Sequence, residues 1–264
     1  MPMKSLLHTF VIVAYKESPY LEECICSLLA QTIQSCLLLS TSTPSTFVET
    51  LARKYDIPMV INTNRDGIAV DWSFAYEAAD TPYVTLAHQD DRYFPEYTEQ
   101  CLNAAQSYHD NLITFTDYYE QIGTRRRHSL LIPIKRMLLW PFSFRIALKS
   151  TKMKMICLLF GNPIPCPSVM YHKETIRAFE FSNDWQFNLD WDAWLRFAQR
   201  QGHFVYVKKP LIAHRLHQDS ETSRLIRNQQ RAREELLMLQ RLWGKRWGAI
   251  LAKFYQLGAI FNPA

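Results

Sequence analysis

Between His8 and Asp117 the chain alternates short apolar runs with stretches of helical period, and this order constrains its fold more tightly than any other feature. HTFVIVAY, CLLLS, PMVINT, YVTLAH and LITFTD are apolar and of strand length. After the first of them, Leu21, Cys24, Ile25, Leu28 and Leu29 recur at i, i+3, i+4, i+7 and i+8, with Ser18 as the expected N-cap and Pro19 at the first helical position. Ser45 is placed to cap a second helix. An Asp66-Gly67 turn leads into a third with Trp72, Ala75, Tyr76 and Ala79, and a fourth is expected over residues 96–108. Strands joined by helices through short connections predict an α/β fold, a mostly parallel sheet flanked by helices on both faces. Ligands of such sheets bind beyond the carboxyl ends of the strands. Neither GxGxxG nor GxxxxGK[ST] occurs, which excludes a dinucleotide fingerprint and a P-loop.

The net charge of +5 is unevenly distributed. No Asp or Glu lies between Glu120 and Glu174, a span that carries +10, and the segment from Arg224 onward adds +6, leaving −11 on the remainder. A nucleic-acid binder would spread its cations over the folded face, so nucleic acid is not an expected partner. LLIPIKRMLLWPFSFRIALK instead sets Lys and Arg among Leu, Ile, Trp and Phe. Two readings fit that mixture: helices docked on their own core, or a peripheral surface for an anionic membrane. The expected organisation is one domain over residues 1–223, with a basic apolar helical insertion at 125–160, followed by a basic amphipathic helical region over 224–264.

The cysteines are scattered without a CxxC pair, which predicts buried reduced thiols and a cytoplasmic setting rather than a zinc site. MPMKSLLHTFVIVAY enters the first strand without a small-residue cleavage site, and no apolar run reaches the ~18 residues of a membrane span, so neither a secretion signal nor a transmembrane helix is expected.

Three polar clusters carry the chemistry. His88, Gln89, Asp90 and Asp91 end the YVTLAH run; LDWDAWLR puts Asp190 and Asp192 at the start of a Trp-rich helix; HRLHQDS follows FVYV with His214, Arg215 and His217. Adjacent carboxylates at the end of a buried strand repel one another and require donors or a cation nearby. The competing reading is a solvated turn in which one of them caps the helix near Glu96. In their order, and together with VIVAYKESPYLEECICSLLAQT, these clusters resemble the family 2 glycosyltransferases of the GT-A fold over most of residues 8–223.

The resemblance implies an inverting transfer of sugar from a nucleotide-diphosphate donor, with a UDP-sugar favoured, to a glycan or lipid-linked hydroxyl acceptor in cell-surface polysaccharide or glycolipid synthesis. A departing diphosphate gathers negative charge, and Mn²⁺ or Mg²⁺ stabilises it with few ligands from the protein. Asp90 is the implied ligand, Asp91 its understudy, and His217 either completes the site or hydrogen-bonds the diphosphate. Ala14, Tyr15, Glu17, Thr41, Ser42, Asp71, His88 and Gln89 fall at implied donor contacts, and Arg215 is expected to meet a phosphate oxygen. Asp190 is the implied general base, with an N-cap of the Trp191 helix as its alternative. Asp192 is expected to form an exposed pair with Arg196. GNPIPCPSVMYHK borders the implied acceptor side, where Cys166, Ser168 and Trp191 are assigned.

Three departures stand out. No carboxylate follows the second strand, where the family holds base and ribose; Asp71, Trp72 and Ser73 replace a common Ala-Arg-Asn triplet; and His88 replaces the first aspartate of the metal motif. They keep two alternatives open, a non-catalytic nucleotide-sugar or membrane-surface binder and a metal-dependent phosphoesterase built on His88, Asp90 and His217.

Overall fold

Alternation along the strands sends apolar side chains to two faces. Phe10 and Ile12 join one buried cluster while Val11 joins another, and Ala87 and Leu86 divide in the same way. A sheet with two apolar faces requires cover on both. The computed structural model of the chain, which describes residues 4–64, 67–127, 129, 131–217 and 230–260, has that architecture.

Ten strands form one sheet: β1 (Lys4–Ala14), β2 (Gln34–Thr41), β3 (Met59–Ile61), β4 (Tyr83–His88), β5 (Arg92–Tyr93), β6 (Asn111–Ile122), β7 (Arg125–Arg127), β8 (Ala147–Leu148), β9 (Val169–His172) and β10 (His203–Arg215). The order is β3-β2-β1-β4-β9-β6-β10-β5, with β7 on β6 and β8 on β10. The long ladders β1/β2, β1/β4 and β6/β10 are parallel. β9 arrives after the 125–160 insertion and runs antiparallel between β4 and β6. Helices α1 (Leu21–Leu29), α2 (Thr46–Lys54) and α4 (Tyr97–Gln106) cover one face; α3 (Ile68–Glu77) and α8 (Leu189–Ala198) pack on the other. Among the described residues the remaining α-helices are α5 (Leu131–Leu138), α6 (Thr151–Ile156), the single turn α7 (Lys173–Ile176) and α9 (Gln230–Ile260).

Ser45 caps α2 as expected, accepting from the Val48 N–H at 3.4 Å. Ser18 does not cap α1, which begins at Leu21 after an N-cap at Tyr20; its hydroxyl is engaged with Asp90 instead. Asp66 lies outside the described residues, as do residues 218–223 of the expected domain and 224–229 and 261–264 of the region expected to follow. Cys24, Cys101, Cys157 and Cys166 are buried, whereas Cys26 is exposed. No helix among the described residues is long and apolar enough to cross a membrane.

The basic segments are tied into this core by specific contacts. Lys154 of α6 is fully buried and donates to the carbonyls of Arg200 and Gly202 at 2.7 and 2.9 Å, where burial pushes its ammonium down to about 8. Gly202 has φ 119°, and a Cβ there would stand 2.4 Å from the Asp110 carbonyl, so only glycine closes this turn. Asp192, expected to be exposed, is 2% exposed and pairs with Arg196 at 2.8 Å and with Arg241 of α9 at 2.7 Å. α9 bends at Gly244, whose φ of 77° interrupts the helix. Before that bend, Glu234 accepts from the backbone N–H groups of Gln186, Phe187 and Asn188 at 2.9, 2.8 and 3.0 Å. One carboxylate thus holds the whole entry to α8. Glu234→Ala leaves those donors unpaired and is expected to lower stability by about 2–3 kcal/mol, read as a lower denaturant midpoint at unchanged slope.

Candidate active site

The parallel strands end level with one another: Val13 pairs with His88 and Ala14 with Thr41. Their carboxyl ends therefore bring Ala14, Tyr15, Thr41, Ser42 and His88 to a common edge, as the fold class predicts. Gln89 closes the β1 tip by a two-point contact, accepting from the Tyr15 N–H at 3.3 Å and donating to the Tyr15 carbonyl at 2.9 Å. The Tyr15 ring and Glu17 remain exposed. Lys16 takes a positive φ of 57°, uncommon for a residue with a Cβ, and its N–H donates to the Thr43 hydroxyl at 2.5 Å. Across the edge, Ser42 and Asn62 each donate to one oxygen of Asp71 at 2.8 Å. Asp71 lies in the first turn of α3, where the helix dipole favours a carboxylate.

Asp90 and Asp91 point to different partners, which answers the repulsion between them. The Ser18 hydroxyl donates to Asp90 Oδ1, and Asp90 Oδ2 lies 3.1 Å from His217 Nε2. Asp91 is 2% exposed and accepts from His214 Nδ1 at 3.0 Å and from the Arg215 N–H at 2.9 Å. Burial pushes the Asp91 carboxyl up, but the His214 charge and these hydrogen bonds outweigh it and hold it below its ordinary value. His214 moves the opposite way: burial lowers it, and Asp91 raises it above its ordinary value. Asp91 is thus a buttress between β4 and β10, and the expected trio Asp90, Asp91 and His217 does not assemble. Among the described residues no three His, Cys, Asp or Glu side chains are grouped to hold an ion. Arg215, expected at a phosphate, is engaged with Glu23 at 2.5 Å, the Asp90 carbonyl at 3.0 Å and the Gly123 carbonyl at 3.1 Å, and lies over the Tyr20 ring at 4.2 Å. It forms part of the wall. His88 is kept neutral by burial; its ring lies 4.9 Å from that of Trp72, and its Nε2 has no hydrogen-bond partner among the described residues.

Asp190 occupies the second position of α8, whose N-cap is Asn188. Its Oδ1 accepts from the Trp191 N–H at 2.7 Å and its Oδ2 from Asn162 Nδ2 at 2.8 Å. Burial pushes its carboxyl up to about 6, although the Trp191 N–H, Lys135 and Asn162 all pull it down. Two residues link this corner to the other. The Cys166 thiol, pushed up first by burial, is raised further by both Asp190 and Asp91. Lys135 donates to the Tyr118 hydroxyl at 3.0 Å, and its charge acts on both Asp190 and His214. Cys166, Ser168 and Trp191, assigned to the acceptor side, are 3, 0 and 1% exposed. They are packed into the core, with the Trp191 indole donating to the Leu158 carbonyl at 3.0 Å and the Ser168 hydroxyl to the Pro165 carbonyl at 2.8 Å.

Residues 9–172 match glycosyl transferase family 2. The chain belongs to that family. Solved structures of similar fold include Staphylococcus aureus TarS 1-349 in complex with UDP-GlcNAc, with TM-score 0.61 at 12% identity over 97% of this chain and 73% of that one. Another is the mannosyltransferase PcManGT from Pyrobaculum calidifontis in complex with GDP-Man and Mn²⁺, with TM-score 0.59 at 12% identity over 97% of this chain and 76% of that one. A further TarS 1-349 structure aligns with TM-score 0.58 at 11% identity over 79% of this chain, which spans 60% of its length. These likenesses bear out the GT-A fold. No curated protein matches the sequence at a significant level.

Several partners of the candidate site residues escape sequence reading. Asn162, which holds Asp190, lies in a Pro-rich stretch read for its stiffness. Ser18 passes for a helix cap. Asn62 carries only a weak local signal, a polar residue directly after a strand. Glu234 is one carboxylate in a basic helix, and nothing local marks it as the tether of α8.

Proposed function

We propose that this chain transfers a sugar from a nucleotide-diphosphate donor to a hydroxyl acceptor, with inversion at the anomeric carbon. The observation that carries this reading is the pairing of a half-buried carboxyl raised to about 6, Asp190, with a corner where Asp90 and His217 stand 3.1 Å apart. That spacing suits two neighbouring ligands of one octahedral ion, since ligand distances of about 2.1 Å at a right angle separate their atoms by about 3.0 Å. Asp90 and His217 would hold Mn²⁺ or Mg²⁺, with Ser18 orienting the carboxylate, and diphosphate and water would supply the other oxygens. When bound, the cation offsets the charge that builds on the departing diphosphate.

The chain's own groups do the rest. Asp71, held by Ser42 and Asn62, supplies beside the β2 tip the carboxylate that Thr41 and Ser42 do not, and accepts from the ribose or base. The exposed Tyr15 ring, its backbone fixed by Gln89, offers a flat face to the base. Asp190 takes the acceptor proton as the hydroxyl oxygen bonds to the anomeric carbon and the bond to the diphosphate breaks on the opposite face, which inverts the centre. A UDP-sugar is the favoured donor: TarS structures are in complex with UDP and UDP-GlcNAc, while the mannosyltransferase holds GDP-Man. The acceptor is a precursor of a cell-surface polysaccharide or glycolipid.

The test is nucleotide release from a panel of UDP- and GDP-sugars with Mn²⁺, with Mg²⁺ and with chelator. One donor should be turned over only with metal, and that donor should raise the melting temperature. Binding without release by any donor would leave a non-catalytic binder in its place.

A further inference from the structure

The basic insertion leaves large apolar side chains in solvent after its own packing is complete. Ile132, Leu139 and Phe142 are buried in the core, whereas Ile134, Met137 and Trp140, spaced at i, i+3 and i+6, are 49, 65 and 49% exposed. Phe144, just beyond, is 85% exposed. Single exposed apolar residues are ordinary, but four within one short segment form a patch that calls for an occupant. Arg145 and Lys152 are exposed at its border, and no Asp or Glu occurs from residue 121 to 173. A second copy of the chain would bring like charge against like charge. An anionic bilayer meets both demands, since apolar side chains enter the acyl boundary while Lys and Arg stay with the headgroups.

We infer that this face of α5 and the turn after it is a docking surface for an anionic membrane, and that it presents the active site to a lipid-anchored acceptor. The second clause rests on the transferase reading. α5 joins the two roles: Lys135, between Ile134 and Arg136, reaches the Tyr118 hydroxyl at 3.0 Å and its charge acts on Asp190. A helix that settles into the headgroup layer therefore carries the base with it to the depth at which a lipid-linked hydroxyl lies.

The probes are vesicles of phosphatidylcholine with and without phosphatidylglycerol, read by co-sedimentation of the full chain. Wild type should bind the anionic vesicles, less at high salt, and bind phosphatidylcholine alone weakly. The double variant Trp140→Ser, Phe144→Ser should lose about tenfold or more in vesicle affinity, with melting temperature and nucleotide release unchanged. Arg145→Glu with Lys152→Glu, which leaves the apolar side chains in place, should abolish the preference for anionic vesicles. Equal binding to both vesicle types, no binding, or undiminished binding by both variants overturns the surface. So does a wild-type dimer in light scattering that the serine variant converts to monomer, which assigns the face to a second copy. Vesicle binding and nucleotide release are separate readouts: loss of the first alone rejects the surface, and loss of the second alone rejects the transferase.

Discussion

Asp190→Asn is expected to cut sugar transfer by about 10²- to 10⁴-fold with donor affinity unchanged. The substitution keeps the size of the side chain and one oxygen, which accepts from either Asn162 or the Trp191 N–H, while the other donor loses its acceptor. What disappears is the capacity to take a proton. Because burial pushes Asp190 up to about 6, wild-type activity should rise with unit slope as the pH approaches that value and level off above it. Stability should show the reverse. A carboxyl raised above its ordinary 3.8 contributes most when protonated, and its contribution falls as the pH rises through about 6. Asp190→Asn should therefore melt higher than wild type at neutral pH, a gain in stability with a loss of function that a merely structural aspartate would not give. Transfer at near-native rate by this variant would remove Asp190 as the base.

Asp91→Ala should have the largest effect on stability, a loss of about 3 kcal/mol or more, measured as a shift in denaturant midpoint. It removes a carboxylate that accepts from both His214 and the Arg215 N–H in the wall between β4 and β10. The pH dependence identifies the cause. Asp91 sits below its ordinary 3.8, so its contribution is present above that value and is lost as the pH falls through its depressed pKa. His214 sits above its ordinary 6.5, so its contribution is complete below that value and is lost as the pH rises through its raised pKa. The pair is worth most between 3.8 and 6.5, and the difference between wild type and variant should narrow on either side of that window. A difference constant with pH would mean that the loss is one of packing rather than charge.

These outcomes separate two carboxylates that are adjacent in the chain and unlike in role. Asp90 faces Ser18 and His217, and Asp91 faces His214 and the backbone of Arg215. In sequence the two are interchangeable, and both are credible ligands. The choice follows from the end of β10 and the residues just after it, where His214 and His217, more than 120 residues downstream, reach Asp91 and Asp90 respectively. Arg215 shows the same limit of local reading: a guanidinium near a strand end suits a phosphate, and nothing beside it in sequence marks Glu23 and the two carbonyls that it engages.

Local sequence determined which segments become strands and helices and that the sheet is of the α/β kind, and it marked the polar ends of YVTLAH, of FVYV and its continuation, and of the Trp-rich helix as the candidate site, because apolar period and capping are encoded within a few residues of each element. Tertiary structure alone decided that β9 runs antiparallel between β4 and β6, that Asp71 reaches Ser42 and Asn62, that Glu234 of α9 anchors the entry to α8, and which side of α5 is left in solvent. Each of these depends on groups distant in sequence finding one another, and a side chain's protonation, partners and burial are set by what packs against it, which no local pattern encodes.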